Sequence, residues 1–205
     1  MVLGLKKKVI INQKLTEEEK EKKKMFIRNK ITKLMNAIKI PGAINQFKTI
    51  ITGADEKLIL DLCSKYSPET KAEKKERLSK TNPREGEKPI LLKFGIKHIV
   101  SLLEQRKLKF IVIAADVLPI TTICFLPTLC KKVGCSYAII DKQSKLGALV
   151  HLKKTTVIGL ENVRNEDIQL FEDVLRISNA MFLDKYEYHI SNTGGCSRKV
   201  NKLND

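Results

Sequence analysis

Tryptophan is missing from this 205-residue chain, and tyrosine and phenylalanine contribute only four and seven residues. No apolar run approaches the roughly 18 residues that a membrane span requires. The opening stretch, MVLGLKKKVIINQK, has no long apolar core, so it does not read as a secretory signal and the chain is expected to be soluble and intracellular. The five cysteines (Cys63, Cys124, Cys130, Cys135 and Cys196) and three histidines form no C-x-x-C or paired-ligand pattern. That spacing argues against zinc, and Cys124, Cys130 and Cys135, set among apolar residues, read as buried free thiols. Neither G-x-G-x-x-G nor G-x-x-x-x-G-K-[ST] occurs, and no motif supports a nucleophile beside His151 or His189. Hence no catalytic residue, cofactor, metal or small-molecule substrate is expected.

Positive charge is what the chain does have. Lysine and arginine number 39 against 23 acidic residues, for a net charge of +16. An imbalance of that size at this length calls for a polyanionic partner. It is unevenly spread. Residues 1–89 hold 22 basic and 12 acidic side chains, and residues 90–176 hold 13 and 8. Most of the excess therefore precedes the segment with the strongest folding signals. A domain reading DNA would instead concentrate charge on a recognition helix.

Three segments follow from the patterning. Residues 1–88 form a basic N-terminal extension with amphipathic helices. Its start is aperiodic, with Lys6, Lys7 and Lys8 clustered as in an arm that orders on RNA. Thr16 and Glu19 have the spacing of a capping box, and Ile27, Ile31, Leu34, Met35 and Ile38 then recur as one apolar stripe. Such a stripe is expected to dock on protein, since the helix's glutamates and the absence of tryptophan speak against a membrane surface. A second charged helix carries Lys71, Lys74, Lys75 and Arg77, and the polar SKTNPREGEK stretch (residues 79–88) is the natural linker.

Residues 89–176 alternate helix and strand. Gly95 opens a helix with Ile99, Leu102 and Leu103 at helical spacing. The run from Phe110 to Ala115 has strand length and composition, as do Tyr137–Ile140 and Thr155–Leu160. A helix with Pro127 near its start and Gly134 at its end lies between the first two strands, and another spans Asn165–Ile177. The expected fold is α/β, a three-layer α-β-α sandwich. Residues 177–205 form a short C-terminal tail.

Several ordered blocks resemble the kink-turn-binding family of ribosomal proteins: the glycine-led helix Gly95–Glu104, the strand end Val112–Pro119, and Leu126–Cys130. IPGAINQF and YSPETKAEKKERL are similar to the extension of that family's eukaryotic large-subunit branch, which snoRNP and spliceosomal relatives lack. The resemblance implies a structural constituent of the large ribosomal subunit, binding large-subunit rRNA and neighbouring large-subunit proteins. It would be cytoplasmic on the ribosome, with nucleolar assembly, and not an enzyme. A kink-turn adaptor of a small nucleolar or spliceosomal particle is the alternative.

By resemblance, the RNA site comprises the helix start (Lys93, Phe94, Gly95, Lys97, His98, Ser101), the strand end (Asp116, Val117) and the loop Val150, His151, Leu152, Lys153 and Lys154. Physically, a helix N-terminus presents unpaired N–H groups to phosphate, and glycine allows close approach. Family members place Asn, Glu and Lys where this chain has Lys97, His98 and Ser101, a departure that removes a carboxylate acceptor. The extension would add Lys6, Lys7, Lys8, Lys71, Lys74, Lys75 and Arg77 to the contact surface.

Overall fold

The structure, a computed structural model, describes residues 16–79 and 89–195. The linker stretch from residue 80 to 88, the cluster Lys6–Lys8 and Cys196 lie outside the described residues. Those described fall into two compact units, divided after Lys39, with Ile40–Gly194 forming the larger one.

In the first unit, helix α1 runs from Glu17 to Ala37. It begins where the sequence places it. Thr16 N donates to Glu19 Oε2 at 3.0 Å while Glu19 N donates to Thr16 Oγ1 at 3.4 Å, a reciprocal capping box. Its apolar side chains Phe26, Ile27, Ile31 and Leu34 are all more than half exposed.

The larger unit is built on a four-stranded sheet of β2 (Lys93–Phe94), β5 (Val157–Leu160), β3 (Phe110–Ala114) and β4 (Ser136–Ile140), in that spatial order. Strands β3 and β4 are parallel, with Phe110 opposite Ser136 and Ala114 opposite Ile140. Strand β5 runs antiparallel to β3, pairing Leu160 with Phe110 and Val157 with Ile113, and β2 is antiparallel to β5. Every residue of β3, β4 and β5 is buried, so these strands must be covered on both faces. Helices α5 (Ile96–Glu104) and α6 (Leu126–Val133) pack on one another, as α3 (Ala54–Lys65) does on α7 (Gln143–Leu149) and α8 (Ile168–Ser178). The three-layer expectation holds. Pro127 sits in the first turn of α6, where a missing N–H costs nothing, and Gly134 ends that helix at φ 80°.

Several short elements carry no signal in the sequence, among them β1 (Lys39–Ile40), α2 (Gly42–Asn45) and α9 (Tyr186–Ser191). Strand β2 has two residues, too few to show periodicity, and α7 has seven, interrupted by Gly147. The compact unit is also wider than the segment 89–176. Ile59, Leu62 and Tyr66 on one side, and Phe182 on the other, are fully buried in the same core. Ile51 N donates to Ile139 O at 2.9 Å, closing the outer edge of β4. A polar linker in sequence says nothing of whether the helix before it packs beyond the linker; here α3 does.

Direction follows from the register. Helix α5 starts beside the C-terminal end of β3 and finishes beside its N-terminal end. We call these the upper and lower ends of the sheet. At the lower end, Lys107 N donates to Leu102 O and Arg106 N to Leu103 O, a Schellman-type helix stop. Arg106 occupies its left-handed position at φ 55°, where glycine is usual and a side chain costs about 1 kcal/mol.

Candidate nucleic-acid interface

The upper end gathers most of the residues singled out in the core. Gly95, at φ 93°, turns the chain from β2 into α5, a conformation open to glycine and few others. Phe94, Lys97, His98 and Ser101 are exposed along the entry to this helix, with Phe94 at 38%. Ser101 Oγ accepts a bond from Gln105 Nε2 at 3.3 Å. Lys93 points elsewhere: it pairs with Gly159 one step below, and its ammonium lies 3.6 Å from Glu161.

Facing the helix start is the loop Val150–Lys154. Leu152 N and Val150 N both donate to Gly147 O, at 2.9 and 3.1 Å, so the loop folds back on the last turns of α7. A Cβ on Gly147 would stand 2.6 Å from Leu152 O and 2.8 Å from Lys154 N; only glycine allows this fold-back. His151, Leu152, Lys153 and Lys154 consequently project outward and are exposed, whereas Val150 turns into the core at 4% exposure. Leu152, 45% exposed, offers an apolar surface between two lysines.

His151 is less free than its exposure suggests. Its backbone is left-handed, at φ 55°, and its Nε2 lies 3.0 Å from Pro68 O. A carbonyl can only accept, so Nε2 carries the proton and donates. Ser67 Oγ is 3.4 Å from the same nitrogen and donates to Leu149 O. Residues 66–68 thus form a strap across the base of the loop. Their own anchor is Tyr66, fully buried, whose hydroxyl donates to Asp167 Oδ2 at 2.7 Å and accepts from Arg164 N at 2.8 Å. Lys65, 2.5 Å from Asp167 Oδ1, and then the Tyr66 hydroxyl hold that carboxyl below its ordinary range. Burial pushes the Tyr66 hydroxyl up.

Asp116 is exposed, but its carboxylate accepts from Gln143 N at 2.8 Å while Gln143 Nε2 donates to Asp116 O at 3.0 Å. The residue therefore ties the end of β3 to the start of α7. Val117, its neighbour, is buried at 6%. In the extension, α4 (Lys71–Ser79) carries Lys71, Lys74 and Lys75 exposed. Thr70 and Glu73 cap it reciprocally, at 2.7 and 3.3 Å, a T-x-x-E spacing that could have been found in the sequence. Arg77 grips Glu69 with two bonds, 2.9 and 2.7 Å, which lowers the Glu69 carboxyl. The strap contacts of Ser67 and Pro68 join residues more than 80 positions apart, and no local signal announces them.

Among the described residues no group of His, Cys, Asp or Glu could hold a metal ion, and no helix is long and apolar enough to cross a membrane. Cys63, deep in the core, has its thiol pushed up to about 12 by burial.

A compact α-β-α domain that turns a glycine-opened helix and a lysine-bearing loop to one sheet end belongs to the small α/β proteins suited to a polyanion. A model of the family described as "Ribosomal protein L7Ae/L30e/S12e/Gadd45 family" matches residues 70–172. The chain is 46% identical over 200 residues to the large ribosomal subunit protein eL8 of Encephalitozoon cuniculi, covering 97% of each. It is 39% identical over 167 residues to eL8B of Candida albicans and 37% over 173 residues to eL8 of Schizosaccharomyces pombe. These alignments take in 77% and 80% of this chain but 64% and 67% of those two proteins, so it spans about two thirds of their length. The chain belongs to the Ribosomal protein L7Ae/L30e/S12e/Gadd45 family.

Proposed function

We infer that the protein is a structural constituent of the large ribosomal subunit and binds large-subunit rRNA. The observation that carries this reading is the 46% identity across 97% of both chains with a large-subunit protein. The net charge of +16 and the exposed lysines around Gly95 and Leu152 support it. Its role is architectural. Backbone N–H groups at the start of α5, with Lys97, meet phosphate, while Leu152 packs on an unstacked base and Lys153 and Lys154 neutralise the backbone beside it. His151 acts mainly by positioning this loop, held as it is by Pro68.

The chain ahead of β2 divides its labour. Residues 66–68 brace the RNA loop, α4 offers Lys71, Lys74 and Lys75 to rRNA, and the apolar stripe of α1 is covered by a neighbouring large-subunit protein. Assembly begins in the nucleolus and ends on cytoplasmic ribosomes. Sedimentation of a tagged chain tests the reading: it should run with large subunits and 80S ribosomes and resist a high-salt wash. Recovery with small nucleolar particles, or as free protein, would overturn it.

A further inference from the structure

Away from the site already described, the lower end of the sheet collects a second group of cations. Arg106, Lys107 and Lys109 lie between the end of α5 and Phe110, and Lys131 and Lys132 lie in the last turn of α6 ahead of Ser136. Phe110 and Ser136 are paired neighbours, and Ser136 N donates to Lys109 O at 3.3 Å, so both stretches arrive at one place. Among these side chains only Lys131 has a described partner, the carbonyl of Leu183 at 3.1 Å. The acidic residues beside them are Glu104 and Glu161; Glu161 follows Leu160, whose carbonyl accepts from Lys109 N at 3.0 Å, and it lies 3.6 Å from Lys93. All five cations are exposed. Cations near helix C-termini offset the helix dipole, which explains Lys131 and Lys132. It does not explain Arg106. There the backbone is left-handed, a position where glycine would stop the helix at lower cost, yet the chain keeps a long cationic side chain.

We propose that this lower end is a second RNA surface, gripping the phosphate backbone of an rRNA segment distinct from the one at the upper end. It rests on the reading of the protein as an rRNA binder. A protein chain would need apolar anchors here, and the stretch offers none: Leu108 is 4% exposed and Phe110 1%. Five exposed cations outnumber Glu104 and the Lys93-paired Glu161, and that excess fits a phosphate backbone, which needs no base contact.

The test compares two full-length variants on deproteinised large-subunit rRNA, by hydroxyl-radical protection and by the salt dependence of binding. One variant carries Arg106→Gly, Lys107→Gln, Lys109→Gln and Lys132→Gln; the other carries Lys153→Gln and Lys154→Gln. The first should give up a protected segment that the second retains, and its salt slope should flatten by about one for each phosphate no longer neutralised. Arg106→Gly alone should raise Tm by a few degrees while weakening binding, which separates an RNA-gripping side chain from a mere helix stop. An unchanged footprint in the first variant overturns the proposal, whether or not its slope falls, because removal of charge alone would flatten it. Arg106→Gly with unaltered affinity also counts against it. Failure of the unmodified protein to bind rRNA would instead sink the functional reading itself.

Discussion

Arg106 and His151 share a left-handed backbone, at φ 55° each, and they stand at opposite ends of one sheet. Each costs about 1 kcal/mol where glycine would cost little. At His151 the protein offsets that cost from within, because the ring donates to Pro68 O and sits beside Ser67. At Arg106 no described side chain or carbonyl receives the guanidinium. Equal backbone geometry therefore has two origins. One end is held in its shape by the strap at residues 66–68, whereas the other retains a costly residue that finds no described partner and whose return we assign to the RNA contact proposed above.

The largest effect that would sharpen this contrast lies along α5. Lys97→Asn, His98→Glu and Ser101→Lys together restore the polar set of the family's kink-turn readers. One gained acceptor for a buried donor is worth roughly 1–3 kcal/mol. Binding of a kink-turn RNA should tighten by about one to two orders of magnitude. It should do so although the variant's net charge is lower by one. A titration at fixed salt in which the triple variant bound no better would mean that this helix face does not read RNA as proposed.

Gly147→Ala comes next. Its Cβ would collide with Leu152 O and Lys154 N, so the loop must shift, at about 1–3 kcal/mol of stability by denaturant unfolding. Protection of rRNA at the upper end should vanish while the lower-end footprint persists; both disappearing together would merge what is here kept apart.

Tyr66→Phe removes the buried hydroxyl that serves Asp167 and Arg164, leaving the partly buried Arg164 N–H without that partner, at about 1 kcal/mol. The same cluster sets an acid limb. Asp167 has a depressed carboxyl in the folded protein, so the unfolded chain binds that proton more readily and stability rises with pH through this window. The contribution is complete above about pH 4, the ordinary aspartate value, and is lost as pH falls through the lower, folded one. Asp167→Asn should flatten the fall in stability measured between pH 5 and pH 2.5. An unaltered acid limb would place the titrating group elsewhere.

The smallest effect addresses the two left-handed residues directly. Arg106→Gly should stabilise the protein by about 0.5–1 kcal/mol. His151→Gly should leave stability within about 0.5 kcal/mol of the parent, since relief of the backbone is cancelled by removal of the ring's hydrogen bond. Equal gains at both sites, by thermal unfolding, would show that the strap contributes nothing.

Much of the fold could be read from the sequence because its signals are local. The apolar run at Phe110–Ala114, the Thr16–Glu19 box and Gly134 each act within a few residues of themselves. The reach of the compact unit was hidden for the opposite reason. Ile59, Leu62 and Tyr66 look like one side of any amphipathic helix, and only their partners, far along the chain, reveal that they fill the central core. At the upper end, Lys97 in the first turn of α5 and Lys153 and Lys154 after α7 are exposed. Asp116, Val117 and Val150 carry structural duties that composition cannot disclose: one ties two elements together, and two are buried.

The strap also sets a clock. Pro68 leaves the peptidyl-transferase centre 83 residues ahead of His151, and Tyr66 leads Asp167 by 101. During synthesis at about 5–20 residues per second, several seconds pass in which the early half of this arrangement has no counterpart. The loop Val150–Lys154, proposed above to meet RNA, is thus among the last features to take shape, completed only when nearly the whole domain has emerged. A nascent chain truncated before residue 167 should capture rRNA poorly. The contacts of greatest sequence separation form late, so chain order alone should delay engagement of RNA by this loop.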